Sequence, residues 1–152
     1  MPLLVQAHQG GPPSAPPGGG GVPLPFICTK CDLYQEFHTE ITQGNYINAV
    51  LWRSEFNDMD ISGSNFSSAK VASSDMVNVN ASGANFTGAD LRLTGFHSDT
   101  NLQNANFTNA NLKSAEFDQG TDLTGVIWSN TTCPDGTNSD NNGNTCEGHL
   151  SP

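Results

Sequence analysis

Apolar residues recur at every fifth position along most of the chain. The series begins at Ile41, takes one extra residue before Leu102 and another before Leu123, and ends at Trp128. A period of five fits neither the 3.6 residues of a helical turn nor the alternation of a strand. The pattern therefore predicts a repeat in which the chain turns a corner every five residues. The eighteen members are Ile41, Tyr46, Leu51, Phe56, Ile61, Phe66, Val71, Met76, Ala81, Phe86, Leu91, Phe96, Leu102, Phe107, Leu112, Phe117, Leu123 and Trp128.

Two further positions of the repeat are also restricted. The residue two places before each member is small or apolar throughout, so two side chains in every five are expected to point inward. The residue directly before the member is often Asn or Asp, as at Asn65 and Asn85, and these residues favour turns by bonding to nearby backbone. Residues 84–88 and 105–114 show the whole unit and closely resemble the pentapeptide-repeat family, with the resemblance covering roughly residues 39–128. It implies a square, right-handed parallel β-solenoid.

Reading the series in fours gives four columns, which we use to name four faces. The first face carries Ile41, Ile61, Ala81, Leu102 and Leu123, and the second carries Tyr46, Phe66, Phe86, Phe107 and Trp128. The third carries Leu51, Val71, Leu91 and Leu112, and the fourth carries Phe56, Met76, Phe96 and Phe117. The second column is therefore an expected core stack of aromatic rings. Neighbouring coils at the usual strand spacing would give about four and a half coils in a tube of roughly 20 Å.

The two extra residues, near Asp99 and Gly120, both fall between the fourth and first columns. A shared bulge at one corner of the tube would explain both. The core is only one residue wide, so the fold is expected to depend on stacked neighbours and capped ends.

Composition divides the chain into three parts: a Gly/Pro-rich arm with a Cys-x-x-Cys lead-in (1–32), the solenoid (33–130) and a polar cap (131–152). The arm cannot form a packed core and is expected to be flexible. Its apolar tip, Leu3, Leu4 and Val5, suits an anchor on a partner, and an unstructured terminus is the alternative. We expect no membrane span, since no run of eighteen apolar residues occurs, and no signal peptide is visible in the chain.

The cap resembles tails that follow the last coil in some bacterial pentapeptide-repeat proteins. We expect a disulfide between its two cysteines, Cys133 and Cys146, which would restrain a polar segment with little core of its own. Disulfides persist in oxidising compartments, so this pairing favours an extracellular or cell-surface location. A calcium loop using Asp135, Asn138, Asp140 and Asn142 is a weak alternative for the same segment, because Asp, Asn and Gly strings are ordinary turn formers.

A second pair, Cys28 and Cys31, forms an isolated Cys-x-x-Cys. A local disulfide is the favoured interpretation, and half of a zinc site completed by His38 or by another chain is the alternative. The two cysteine pairs lie at opposite ends of the tube, so one zinc site built from all four is not expected. No cofactor is indicated.

Catalysis finds no support in the sequence. The four histidines are spread over arm, lead-in, tube and tail, and no motif pairs a nucleophile with a base. The chain is therefore not expected to be an enzyme, and its function is expected to lie in its surfaces.

All four cations of the tube, Arg53, Lys70, Arg92 and Lys113, fall on the third face. Trp52 and Leu93 lie beside them, and an apolar pair among cations is typical of an interface. The carboxylates are concentrated on the fourth and first faces: Glu40, Glu55, Asp58, Asp60, Asp75, Asp99, Glu116, Asp118 and Asp122.

Two functional hypotheses follow. The first is a secreted structural protein that self-associates and so builds homo-oligomers or filaments. Its third face is expected to contact the carboxylates on the opposite first face, and on the fourth-face corner of that face, in another copy. The second is the DNA-mimic role known for some pentapeptide-repeat proteins, which act on DNA gyrase in the cytoplasm; a net charge of −10 favours it. The cationic third face and the short tube count against the second, and direct nucleic-acid binding is not expected for so acidic a chain.

Overall fold

The computed structural model describes residues 44–151 and, before them, the backbone of two short strands. These strands, β1 (Val5–Gln6) and β2 (Phe26–Ile27), pair in parallel, with Val5 opposite Phe26. The expectations for Leu3, Leu4, Cys28, Cys31, His38 and the side chain of Val5 lie outside the described residues.

From residue 44 the chain pairs in parallel with itself once every four repeat units, and later coils take one extra residue. Each coil contributes one pairing position to each of four faces. One column runs Asn45, Asn65, Asn85, Asn106 and Ile127. The chain therefore returns over itself after four corners, in the arrangement expected from the four columns of the sequence. The hand of the coil and the total number of coils stay predictions.

Most of these pairings involve a single residue, because turns occupy the positions between them. Within residues 44–151, only the fourth face has longer strands: β3 (Asp75–Val77), β4 (Gly95–His97) and β5 (Glu116–Phe117) form a three-stranded parallel sheet in the order β3-β4-β5. The solenoid thus contains far less regular strand than its ladder of bridges suggests.

The corners follow from the local sequence. Where Asn or Asp precedes an inward residue, it usually accepts a hydrogen bond from the backbone two residues later, as Asn85 Oδ1 does from the Thr87 N–H at 3.0 Å. The next residue lies at the corner, usually with a positive φ, which suits Gly, Asn and Asp. Most of these corner positions are indeed Gly, Asn or Ser, so the turn chemistry agrees with the fold.

The core consists of the predicted inward residues. From Tyr46 to Leu112 every member of the five-residue series is buried, including the undersized Ala81. Buried hydroxyls between them satisfy the backbone: the Ser74 Oγ donates to the Leu51 carbonyl oxygen at 2.9 Å, and the Thr94 Oγ1 donates to the Val71 carbonyl oxygen at 3.1 Å. Phe117 and Leu123, at the last coil, are only partly buried.

The coil lengthens by one residue at a single corner. Val77 pairs with His97, four repeat units on, whereas Asn80 pairs with Asn101, one residue further along. The next coil carries its own extra residue at the same corner, where a Cβ at Gly120 would lie 3.3 Å from the Asp99 nitrogen. The two insertions therefore stack, as the single shared bulge requires.

The ladder continues past Trp128. Thr132 pairs with Asn111, and the Leu112 N–H donates to the Thr132 carbonyl oxygen at 2.8 Å. Cys133, at the next position of the five-residue series, is fully buried and follows Leu112 in the third column. The chain then folds back through a 3-10 turn, Ser139–Asn141, onto this last segment. No helix in residues 44–151 is long and apolar enough to cross a membrane.

Candidate interaction surface

The third face presents two of the three exposed large hydrophobic side chains in residues 44–151. Trp52 is 43% exposed and Leu93 is 62% exposed. The remaining exposed hydrophobic residue is Ile127, which lies on the second face at a position where the other coils have Asn. The sequence prediction did not include Ile127, although its position in the repeat is an outward one.

Trp52 is held by a cation. The Lys70 Nζ lies 5.5 Å from the centroid of the Trp52 ring, within the range of a cation–π contact. The contact joins neighbouring coils, because Lys70 pairs with Val50 in the ladder. The indole nevertheless stays 43% exposed.

Arg92 does not contribute free positive charge to this face. Its Nε and one Nη nitrogen each donate to a different carboxylate oxygen of Asp90, both at 2.7 Å. The Arg92 guanidinium holds the pKa of Asp90 below its usual range, mainly through this side-chain hydrogen bond. The sequence prediction counted four cations here and overlooked Asp90. Residues i and i+2 of an extended segment share a face, so the pair was detectable.

Leu93 and Arg53 stand at corners with an unusual backbone. Leu93 has φ 59° and Arg53 has φ 57°, in the left-handed region. Bulky residues without a short polar side chain rarely adopt it, and it disfavours L-residues by roughly 1–2 kcal/mol. Neither side chain is buried, so packing into the core does not offset this strain. The same φ recurs at nearly every corner of the repeat, so the unusual feature is the residue type: the other corners carry Gly, Asn, Asp or Ser. Leu93 and Arg53 are therefore candidates for contact with another molecule.

The fourth face carries a column of acidic residues with one gap. Glu55, Asp75, Gly95 and Glu116 follow one another in the ladder. At the gap, the His97 ring lies between two carboxylates: its Nε2 is 3.7 Å from an Asp75 oxygen and its Nδ1 is 3.3 Å from an Asp118 oxygen.

Gly95 makes this arrangement possible. A Cβ at that position would collide with the His97 Nε2 and come within 2.9 Å of the Asp75 Oδ1. The pKa of Asp118 is lowered, first by the hydrogen bond from the Ser98 N–H and then by His97. His97 thus links coils across the acidic face, a role that its position in the sequence did not reveal.

The cap is closed by a disulfide between Cys133 and Cys146. The candidate calcium ligands make hydrogen bonds within the cap. Asp135 accepts from the Thr137 hydroxyl and N–H and contacts His149, and Asp140 accepts from the Asn130 N–H. Asn138 Oδ1 accepts from the Asp140 N–H, and the Asn142 amide donates to the Thr137 hydroxyl. These contacts are those of ordinary turns.

No group of three or more His, Cys, Asp or Glu side chains suited to a metal ion occurs among residues 44–151.

The aromatic column of the second face forms one continuous stack. Successive ring centroids lie 4.8 to 5.3 Å apart from Tyr46 to Trp128, with interplanar angles between 7° and 16°. These rings are buried and offer no exposed site, whereas the third and fourth faces present the exposed apolar and charged side chains described above and are the candidate functional surfaces.

A family model described as "pentapeptide repeat region" matches residues 49–128, the part of the chain that carries the five-residue period and the parallel bridges. The chain belongs to the pentapeptide-repeat family. The family predicted from the sequence is thereby confirmed. A search of curated proteins found no significant match.

Solved structures of other pentapeptide-repeat proteins show weaker likenesses. Rfr23 from the cyanobacterium Cyanothece 51142 is 24% identical with a TM-score of 0.43, over 54% of this chain and 58% of that one. A thylakoid-lumen protein from Arabidopsis thaliana is 21% identical with a TM-score of 0.29, over 78% and 76%. QnrB1, a plasmid-mediated fluoroquinolone resistance protein, is 20% identical with a TM-score of 0.28, over 70% and 69%. This chain spans little more than half of Rfr23.

Proposed function

We propose that this pentapeptide-repeat protein is a non-catalytic structural protein that self-associates through its third face, outside the cell or at the cell surface. The observation that carries the proposal is Leu93, an exposed apolar side chain at a left-handed corner of the face that also carries the exposed Trp52. Large exposed hydrophobic residues close to cations are typical of interface centres.

A second copy is the favoured partner because of charge. The chain has a net charge of −10, and the third face is where the cations of the tube lie, whereas the fourth and first faces carry most of its carboxylates. A cationic face and an acidic face on one molecule are complementary between copies. Contacts between different patches are heterologous and continue into filaments unless a rotation closes them into rings. We take the coil to be right-handed, as the family resemblance implies, and the columns of the sequence give about four and a half coils.

The disulfide of the cap supports the proposed location. Such bonds are rare in reducing compartments, and this one joins two fully buried cysteines that close the end of the solenoid. Thiol labelling of protein taken from its native source tests this point: labelled Cys133 and Cys146 would overturn the extracellular assignment.

Self-association is tested by the mass of the full chain in solution. Light scattering and sedimentation, each with and without reductant, are expected to give a mass well above the 16.1 kDa of one chain. A monomer at high concentration in both conditions would overturn the proposal.

A second candidate, a DNA mimic acting on gyrase, is favoured by the acidic column of the fourth face together with the net charge of −10. The third face counts against it, because its apolar and cationic side chains interrupt an acidic rod. A gyrase supercoiling assay separates the two. Inhibition or drug protection at micromolar protein would replace the structural proposal with this one.

A further inference from the structure

The charges of the third and fourth faces can be compared level by level along the tube. The ladder defines four levels, through Val50, Lys70, Asp90 and Asn111 on the third face and Glu55, Asp75, Gly95 and Glu116 on the fourth. Comparing charges at each level tests whether one face fits the other.

Three levels pair opposite charges. The third face offers Arg53 at the first level, Lys70 at the second and Lys113 at the fourth. Within residues 44–151 none of these three cations lies within salt-bridge distance of a carboxylate. At the same three levels the ladder column of the fourth face offers Glu55, Asp75 and Glu116, and Asp58 and Asp118 add carboxylates at the first and fourth levels.

At the remaining level neither of the two paired ladder columns offers an unpaired charge. At the third level the cation is Arg92, which is already neutralised by Asp90 at 2.7 Å. The fourth face has Gly95 there, without a side chain, covered by the His97 ring. The exposed Leu93 belongs to this same level, so the apolar protrusion of one face meets the uncharged gap of the other.

We propose that the third face of one copy docks on the fourth face of a second copy, side by side, parallel and in register. This inference rests on the proposed self-association and names its interface. It differs from the expectation of third face against first face, because Asp60 and Asp122 are the only carboxylates before the inward residues of the first face in residues 44–151, separated by Asn80 and Asn101.

The geometry of the tube then sets the number of copies. Each coil turns four corners before returning over itself, so the third and fourth faces meet at about a right angle. Docking one on the other turns each copy by a right angle relative to the last. Four such turns complete a circle, and a heterologous contact whose rotation closes gives a ring. The expected assembly is a cyclic tetramer with its axis parallel to the tubes, whereas opposite faces would give an open filament.

The test uses charge exchange at the fourth level in the full chain. Native mass spectrometry and sedimentation should find four copies for the wild type. Lys113→Glu and Glu116→Lys should each raise, at least tenfold, the protein concentration at which the monomer assembles into the tetramer. The combination of both changes in one chain should restore the tetramer, because the contact joins residue 113 of one copy to residue 116 of the next. Thr108→Glu, which adds a carboxylate to the second face, is the matched control and should leave the tetramer unchanged.

The outcomes separate the interface from the proposed function. A monomeric wild type overturns both. A wild type that forms dimers or filaments, or a tetramer that withstands either single change, overturns this interface and leaves self-association standing. Failure of the double exchange to restore assembly, with circular dichroism showing folded protein, also overturns it.

Discussion

The Trp128 indole lies parallel to the Phe107 ring, with centroids 5.3 Å apart and planes inclined by 13°. It is the last ring of the five in the second column, and its carbonyl oxygen accepts a hydrogen bond from the Ser139 hydroxyl of the cap. Trp128 therefore connects the aromatic core to the cap, so a substitution that destabilises one of them should also destabilise the other.

The centre of the aromatic stack should be the most sensitive point of the fold. Phe86→Ala removes a ring with stacked neighbours on both sides, at 5.2 Å from Phe66 and from Phe107, and should lower the free energy of unfolding by about 3–5 kcal/mol. Thr87→Ala, on the outward side, should lower it by less than about 1 kcal/mol. Denaturant unfolding measures both, and equal effects would contradict the register.

Reduction of the disulfide should loosen the cap before the coils. Cys133 and Cys146 are 13 residues apart, and closing such a loop stabilises the folded state by about 2–4 kcal/mol. In a Trp52→Phe background, Trp128 fluorescence should change at a lower denaturant concentration when reductant is present. Far-ultraviolet circular dichroism monitors unfolding of the coils. If it changes at the same denaturant concentration as Trp128 fluorescence, the cap and the coils form one cooperative unit.

Acid should weaken the cap through Asp135. Hydrogen bonds from the Thr137 hydroxyl and N–H, and then His149, lower the pKa of Asp135 to about 2. A carboxyl whose pKa is lower in the folded state contributes its full stabilisation above the unfolded pKa of about 3.9 and loses it as pH falls through the folded value. The protection of the Thr137 amide against hydrogen exchange, taken relative to the intrinsic rate at each pH, should therefore fall between about pH 4 and 2.

Asp135→Asn should remove that pH dependence of the cap, and Glu147→Gln in the same segment serves as the control. An unchanged acid transition in Asp135→Asn would assign the effect to another group.

Leu93→Gly should stabilise the monomer while weakening assembly. It relieves a left-handed backbone, which disfavours L-residues by roughly 1–2 kcal/mol, although the added freedom of Gly offsets part of the gain. Ser73→Gly, at the equivalent corner one coil earlier with φ 59°, should leave the association constant unchanged. Loss of stability in Leu93→Gly would mean that the side chain packs within its own chain.

Gly95→Ala should disturb the His97 bridge. The added methyl group would displace a partly exposed ring, at about 1 kcal/mol, the lower end of the range for overpacking. His97→Ala in the same chain should remove most of that loss, and the double-mutant cycle measures the coupling. Additive effects of the two changes would show that the ring does not need the space above Gly95.

The five-residue period predicted the fold well because each unit is locally determined. Apolar side chains at one position, small ones two places earlier and turn formers between them leave few alternatives, and the same period placed both bulges. The period also extends to Cys133, but the sequence interpretation ended the series at Trp128 because it assigned that cysteine to the cap.

The candidate surface was less predictable, since it depends on contacts that join different coils or neighbouring positions. The cation count of the third face missed the ion pair of Arg92 with Asp90. The space above Gly95 for His97 depends on side-chain direction, which a period does not specify. The backbone strain at Leu93 required φ values, although its position at a corner normally held by Gly, Asn or Ser already distinguished it.

The stacked bulge at Asp99 and Gly120 has an evolutionary consequence. An extra residue at that corner is accommodated because the neighbouring coil carries one at the same place. Once a coil has 21 residues, the coil stacked on it therefore has the same length. Duplication of a coil before the bulge would add four whole repeat units, whereas duplication of one after it would add four units and a single extra residue. Homologues that gained coils by duplication should therefore record, in the length of the added segment, which side of the bulge supplied the copy.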